Sequence, residues 1–144
     1  MKVEIKQVSS YEEEQAVISA VSVNDDIRSA IEILENSKRV IPVISDQGTA
    51  MLRTEKIYYI ESVDKRTYAY TKDSCYETRL RLYELEEKLS SDFFRCSKAM
   101  IVNIRKIRSV KSEVNARLST ELLNGERIII SRGYVKELKK KLGV

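Results

Sequence analysis

The residues best placed to do chemistry in this 144-residue chain are cations set between apolar anchors, and what they can do is grip anions. In the run Phe93-Phe94-Arg95-Cys96-Ser97-Lys98-Ala99-Met100-Ile101-Val102-Asn103, the side chains of Phe93, Met100, Ile101 and Val102 are expected to dock on a core while Arg95, Ser97 and Lys98 stay outside. A rigid platform of this kind suits phosphate contacts. An ordinary connector with solvated charges would carry the same residues. Lys106, Lys111, Arg117 and Arg132 continue the basic series further along.

Catalytic and metal chemistry are poorly supplied. The chain has no histidine, which removes His-dependent triads, and only two cysteines, Cys75 and Cys96, too few for a four-ligand zinc site or a disulfide framework. Both are expected to be reduced packing residues. The carboxylates are dispersed among basic residues, and Gly48, Gly125, Gly133 and Gly143 form no phosphate-cradling loop. Neither an enzyme nor a cofactor is expected.

Charge is segregated along the chain. Residues 1–50 carry 5 basic and 9 acidic side chains, residues 51–90 carry 8 of each, and residues 91–144 carry 13 basic and 5 acidic. The net +4 therefore conceals −4 at one end and +8 at the other. This is the distribution of a chain that meets a polyanion with its C-terminal third. A hydrophobic content of 42% supports a packed core, and no run approaches the roughly 18 apolar residues of a membrane span. Met1-Lys2-Val3-Glu4-Ile5-Lys6 alternates charge where a secretion signal would be apolar, so a cytoplasmic location is expected.

Two parts must position the basic residues: a small acidic strand/helix extension over 1–44 and a β-rich domain over 45–144. In the first, the period-2 pattern of Val3, Ile5 and Gln7 predicts a half-buried strand, and Gln15–Val23 a second. Asn24 or Asp25 should cap a helix ending near Asn36–Lys38, with Ile27, Ile31 and Leu34 on its core face. Val40–Ile44 reads as an edge strand because of Pro42. Ala50–Arg53, Ile57–Val63, Thr67–Thr71 and Cys75–Arg79 read as a meander, and Leu80–Leu89 as a short helix. Ile107–Val114, Arg117–Leu123 and Arg127–Ser131 add antiparallel strands, with Asn124-Gly125 as a two-residue hairpin turn. Ser131 should cap a last helix burying Val135, Leu138 and Leu142 beneath a lysine-rich wet side.

Over roughly Gln47 to Gly143 these residues resemble the LytTR DNA-binding domain of bacterial transcription regulators. Ile57-Tyr58-Tyr59-Ile60-Glu61 resembles the family's early strand. Phe93-Phe94-Arg95 through Val102-Asn103 is similar to its F-x-R-x-H-[RK]-S-[YF]-x-V-N segment, and Asn124-Gly125 followed by Ile130-Ser131-Arg132 and Tyr134 to its G…[VI]-S-R-x-[YF] ending. Ser97 stands where the family usually carries a base-contacting histidine, Ala99 where it carries serine, and Met100 where it carries an aromatic residue, so a different base preference is expected. The resemblance implies a mainly β fold (α+β by content) of elongated antiparallel sheets with a few short flanking helices, whose loops enter successive major grooves. Most members carry a receiver domain; the 1–44 extension is too small for one, so a stand-alone member is implied, with a neighbouring small membrane protein as a further partner.

The resulting expectation is a regulator of transcription that binds double-stranded DNA at promoter repeats, as a homodimer when bound. Lys98 and Arg132 match positions through which the family reaches DNA, with Arg95, Ser97, Lys106, Lys111 and Arg117 as further contacts. Arg132 lies between a strand and a helix, so its guanidinium is preorganised to donate two parallel hydrogen bonds to a guanine; an ion pair with Glu126 is the competing role. Two other readings fit the charge: a ligand- or protein-sensing module, and an RNA-binding antiterminator. Against the latter, Phe93, Phe94 and Tyr134 are the only aromatics in the basic third.

Overall fold

The computed structural model describes residues 1–36 and 39–144, which divide into two compact units, 1–34 and 35–144. The strands expected in the first unit do not form. Residues 1–8 and 14–20 have no regular structure, and Val3 and Ile5 are 79% and 91% exposed, because no second strand among the described residues pairs with them. Helix α1 (Asp25–Asn36) begins where expected, with the Asn24 Oδ1 accepting the Ile27 N–H at 2.9 Å. Ile27 is buried, but Leu34 is 54% exposed and is not a core residue. The end of the predicted helix at Ser37 and Lys38 lies outside the described residues.

The second unit holds every strand among the described residues, and all pairing is antiparallel. Strands β1 (Val40–Ser45) and β2 (Gly48–Arg53) pair along their whole length, so β1 belongs to this unit rather than to the N-terminal extension. Pro42 sits in β1, which has β2 as its sole ladder partner among the described residues, as an edge strand should. Strands β3 (Tyr59–Val63), β4 (Arg66–Tyr70), β5 (Cys75–Thr78), β6 (Phe93–Ser97) and β7 (Met100–Asn103) form a sheet in the order β5-β4-β3-β7-β6. Strands β8 (Ile107–Ser112), β9 (Leu118–Leu122) and β10 (Arg127–Ile130) form another in the order β10-β9-β8. Helix α2 (Leu82–Lys88) precedes β6, and α3 (Arg132–Leu142) ends the unit.

The five-stranded sheet is buried on both faces, and strand periodicity sorts its residues between two cores. Ile60, Ala69 and Ile101 join Ile41, Val43, Leu82 and Leu85 on one side; Phe94, Cys96 and Val102 join Leu118, Leu122, Ile128, Ile130 and Leu138 on the other. The expected docking of Ile101 and Val102 is therefore real but runs in opposite directions. Cys96 packs fully buried, and burial pushes its thiol up to about 12, whereas Cys75 is exposed and is not a packing residue. Thr120, in the middle of β9, is fully buried and its Oγ1 has no hydrogen-bond partner among the described residues. Thr120→Val keeps the β-branch and removes the orphaned hydroxyl, and is expected to raise stability by about 1 kcal/mol, read as a higher urea midpoint at unchanged slope.

One turn and one helix cap differ from their sequence reading. Leu122 N–H bonds to Glu126 at 2.8 Å and Gly125 N–H to Leu122 at 3.0 Å, so the β9–β10 connection is Leu123-Asn124-Gly125, a three-residue loop. Gly125 supplies its one positive φ, 88°, where a two-residue type I′ turn would need two. Ser131 occupies the N-cap of α3, but its side chain makes no capping bond.

Candidate nucleic-acid interface

The sequence-predicted cations separate into two groups once the fold is in place. Strand β6 carries a β-bulge between Arg95 and Ser97, which leaves the Cys96 carbonyl outside the ladder. That carbonyl accepts the Ser131 N–H at 2.9 Å, and this bond fastens the β6–β7 turn, with Ser97 and Lys98, to the β10–α3 junction, with Arg132. Residues 35 positions apart in sequence thus become neighbours. Lys98 and Arg132 are both exposed, and Ser97 is half-buried with its hydroxyl accepting the Ala99 N–H at 3.2 Å.

A third loop completes the cluster. The β8–β9 connection is closed by a 2.8 Å bond from Glu113 N–H to the Arg117 carbonyl, and inside it Asn115 and Ala116 take φ of 73° and 61°. Two consecutive left-handed non-glycine residues store strain of order 1–3 kcal/mol each, a cost seen mainly at functional loops. Asn115 and Arg117 line a cleft of about 400 Å³ together with Ser131, Arg132 and Gly133 at the start of α3. The N-terminal turn of that helix leaves amide donors facing this cleft, a natural seat for phosphate oxygens. Sequence reasoning assigns no role to Asn115, which falls in the gap between two predicted strands; its only signal is that asparagine tolerates the left-handed region better than other residues. Lys111 lies exposed on β8 opposite Ser119, two residues before the loop closes.

Arg95 and Lys106 are placed differently. The Arg95 side chain donates to the Ser97 and Lys98 carbonyls and to Glu86. Lys106 lies at the other end of β8, where its carbonyl accepts the Leu123 N–H, and its ammonium sits 5.1 Å from the Tyr58 ring centre. The length of β8, roughly 17 Å at strand rise, separates it from the loop cluster. The same geometry excludes an Arg132–Glu126 ion pair, because β10 intervenes. Glu126 instead lies near Tyr59, whose hydroxyl is raised well above its ordinary pKa by burial and then by this carboxylate.

Ion pairing sharpens the electrostatic picture. Arg105 pairs with Asp92 at 2.9 Å, Arg108 and Arg127 both pair with Glu121 at 3.2 Å, and Arg95 pairs with Glu86. Among the described residues, Lys98, Lys111, Arg117 and Arg132 make no ion pair. The ion pairs leave charge uncompensated at Lys98, Arg117 and Arg132 in the loop cluster, at Lys111 on β8 and along the lysine-rich face of α3.

Comparison with known proteins agrees with this geometry. The sequence model of the LytTr DNA-binding domain matches residues 47–143, about two thirds of the chain. The chain belongs to the LytTR DNA-binding domain family. Among solved structures, it is similar to the LytTr DNA-binding domain of a protein described as a methyl-accepting/DNA response regulator from Bacillus cereus, with a TM-score of 0.69 and 29% identity over 74% of this chain and 99% of that one. It is also 29% identical over 130 residues, 88% of each chain, to uncharacterised HTH-type transcriptional regulators of Staphylococcus aureus strains NCTC 8325 and COL. That share exceeds the family span, so the similarity reaches upstream of Gln47. Among the described residues of this LytTR chain, strands separate each helix from the next, so the fold contains no helix-turn-helix. The described helices include none long and apolar enough to cross a membrane.

Proposed function

We propose that this LytTR protein is a bacterial cytoplasmic transcription regulator that recognises double-stranded DNA of defined sequence with the three-loop cluster around Lys98, Asn115–Arg117 and Arg132. The observation that carries this reading is the Ser131–Cys96 hydrogen bond, which holds two loops bearing unpaired cations side by side. Arg132 reads a base edge, Asn115 and Lys98 approach bases, and Lys111 and Arg117 hold phosphates. Ser97 shapes its turn, and Lys106 stays off the DNA. No step of the function is catalytic.

The bound form is a homodimer whose contact lies in the first unit. Lys2–Gln7 has strand periodicity and no strand partner among the described residues. Pairing two copies antiparallel about Ile5 sets Glu4 of each against Lys6 of the other and Ile5 against Ile5, a self-complementary register for a two-fold interface. With a net charge of −4, residues 1–50 are repelled by phosphate. Selecting bound duplexes from a random pool tests both statements. The full chain is expected to return paired half-sites at a fixed spacing, and a chain beginning at Glu35 single half-sites of the same sequence. Recovery of no common sequence would refute base reading, and paired sites from the shortened chain would move the dimer contact elsewhere.

A further inference from the structure

The tip of the β6–β7 hairpin is bonded more completely than a solvent-facing turn requires. Four successive carbonyls accept hydrogen bonds: Cys96 from the Ser131 N–H at 2.9 Å, Ser97 from the Arg95 Nε–H at 2.8 Å, Lys98 from a second Arg95 nitrogen, and Ala99 from the Ser62 N–H at 2.8 Å. The third guanidinium nitrogen of Arg95 donates to the Glu86 carboxylate on α2. One side chain thus grips the Ser97 and Lys98 carbonyls while a neighbouring helix holds that side chain in place. Neither Lys98 nor Ala99 has the positive φ that two-residue hairpin turns favour, so the backbone alone does not specify this turn.

Building on the reading of this hairpin as a DNA-contacting loop, we infer that Arg95 is a positioning residue, clamped by Glu86, that sets the direction of Lys98 toward DNA and contacts no phosphate itself. Helix α2 thereby joins the recognition apparatus. Leu82 and Leu85 seat it in the first core, and Glu86, next along the helix, meets the hairpin. The guanidinium fork suits the task because a lysine cannot hold two carbonyls and a carboxylate in one plane.

A phosphate-contacting Arg95 predicts the opposite behaviour. Glu86 would then compete with DNA for the guanidinium, and its removal would tighten binding. The discriminating comparison is Glu86→Gln against Glu87→Gln, since both remove one negative charge and Glu87 is exposed and outside the clamp. Without DNA, amide exchange at residues 97–100 of the full chain is expected to quicken about tenfold in Glu86→Gln and in Arg95→Gln, but not in Glu87→Gln. On the selected duplex, Glu86→Gln should bind about fivefold more weakly than Glu87→Gln. Arg95→Gln should flatten the ranking of single-base variants without the loss of about one unit in salt slope that a phosphate contact entails. Unchanged exchange, tighter binding by Glu86→Gln, or a reduced salt slope in Arg95→Gln would each overturn the clamp. Loosened exchange with base ranking intact would overturn it through its premise, showing that this turn does not read DNA.

Discussion

Raising salt from 50 to 200 mM is expected to weaken binding to the selected duplex roughly a thousandfold, since about six phosphate contacts from two protomers each release a condensed counterion. The cations that carry this effect are those without an intramolecular acid, so Lys111→Ala should lower the salt slope by about one unit per half-site while weakening every sequence alike. Arg127→Ala should leave the slope unchanged, because its guanidinium already faces Glu121 at 3.2 Å. Fluorescence anisotropy titrations at several salt concentrations decide the matter. A flat response would remove polyanion binding from the proposal, and equal slope losses for Lys111→Ala and Arg127→Ala would show that the intramolecular ion pairs do not sort the cations.

Arg132→Ala is expected to lose about tenfold to a hundredfold in discrimination at one base position, the 1–3 kcal/mol of a bidentate arginine–guanine contact. Arg132→Lys should lose nearly as much there while keeping its salt slope, because the charge persists and the fork does not. The expectation rests on two anchors. Arg132 starts α3 directly after β10, and the Ser131 N–H is tied to Cys96 at 2.9 Å, so the backbone that carries the guanidinium is fixed before DNA arrives. Affinities of both variants for the single-base variants of the selected duplex, with thermal unfolding as a control, test it. Folded mutants that keep the wild-type ranking of those variants would withdraw Arg132 from base reading.

Most of the β-rich unit was legible because its strands obey local rules. Runs of β-branched and aromatic residues between turns marked β3 and β4, alternating apolar and polar residues marked β9 and β10, Pro42 marked an edge, and Asn24 marked a helix start. The failures also have local causes. Val3 and Ile5 carry strand periodicity, yet periodicity states only a preference for a partner, and none is supplied among the described residues. The Asn124-Gly125 pair signalled a hairpin correctly but not its loop length, since asparagine can sit in either the right- or left-handed region. The engagement of Arg95 was not legible in one dimension either, because the carboxylate that meets it comes from a helix nine residues away.

The sequence by itself determined the chemistry available to this protein. Without histidine, glycine-rich loops or clustered cysteines, and with an excess of +8 in the last 54 residues, it specified a binder of polyanions, and the ordered Phe93–Asn103 and Ile130–Tyr134 motifs specified its family. Only the tertiary structure decided which cations are free to bind. Each arginine has the same charge in the sequence, but an acid brought alongside by β9 or α2 occupies Arg95, Arg108 and Arg127, whereas Arg117 and Arg132 end on loops that no described carboxylate reaches. The bond from Ser131 to Cys96 made the same kind of choice: it exists because a bulge turned one carbonyl out of its ladder, a consequence of sheet register that no residue-by-residue pattern encodes.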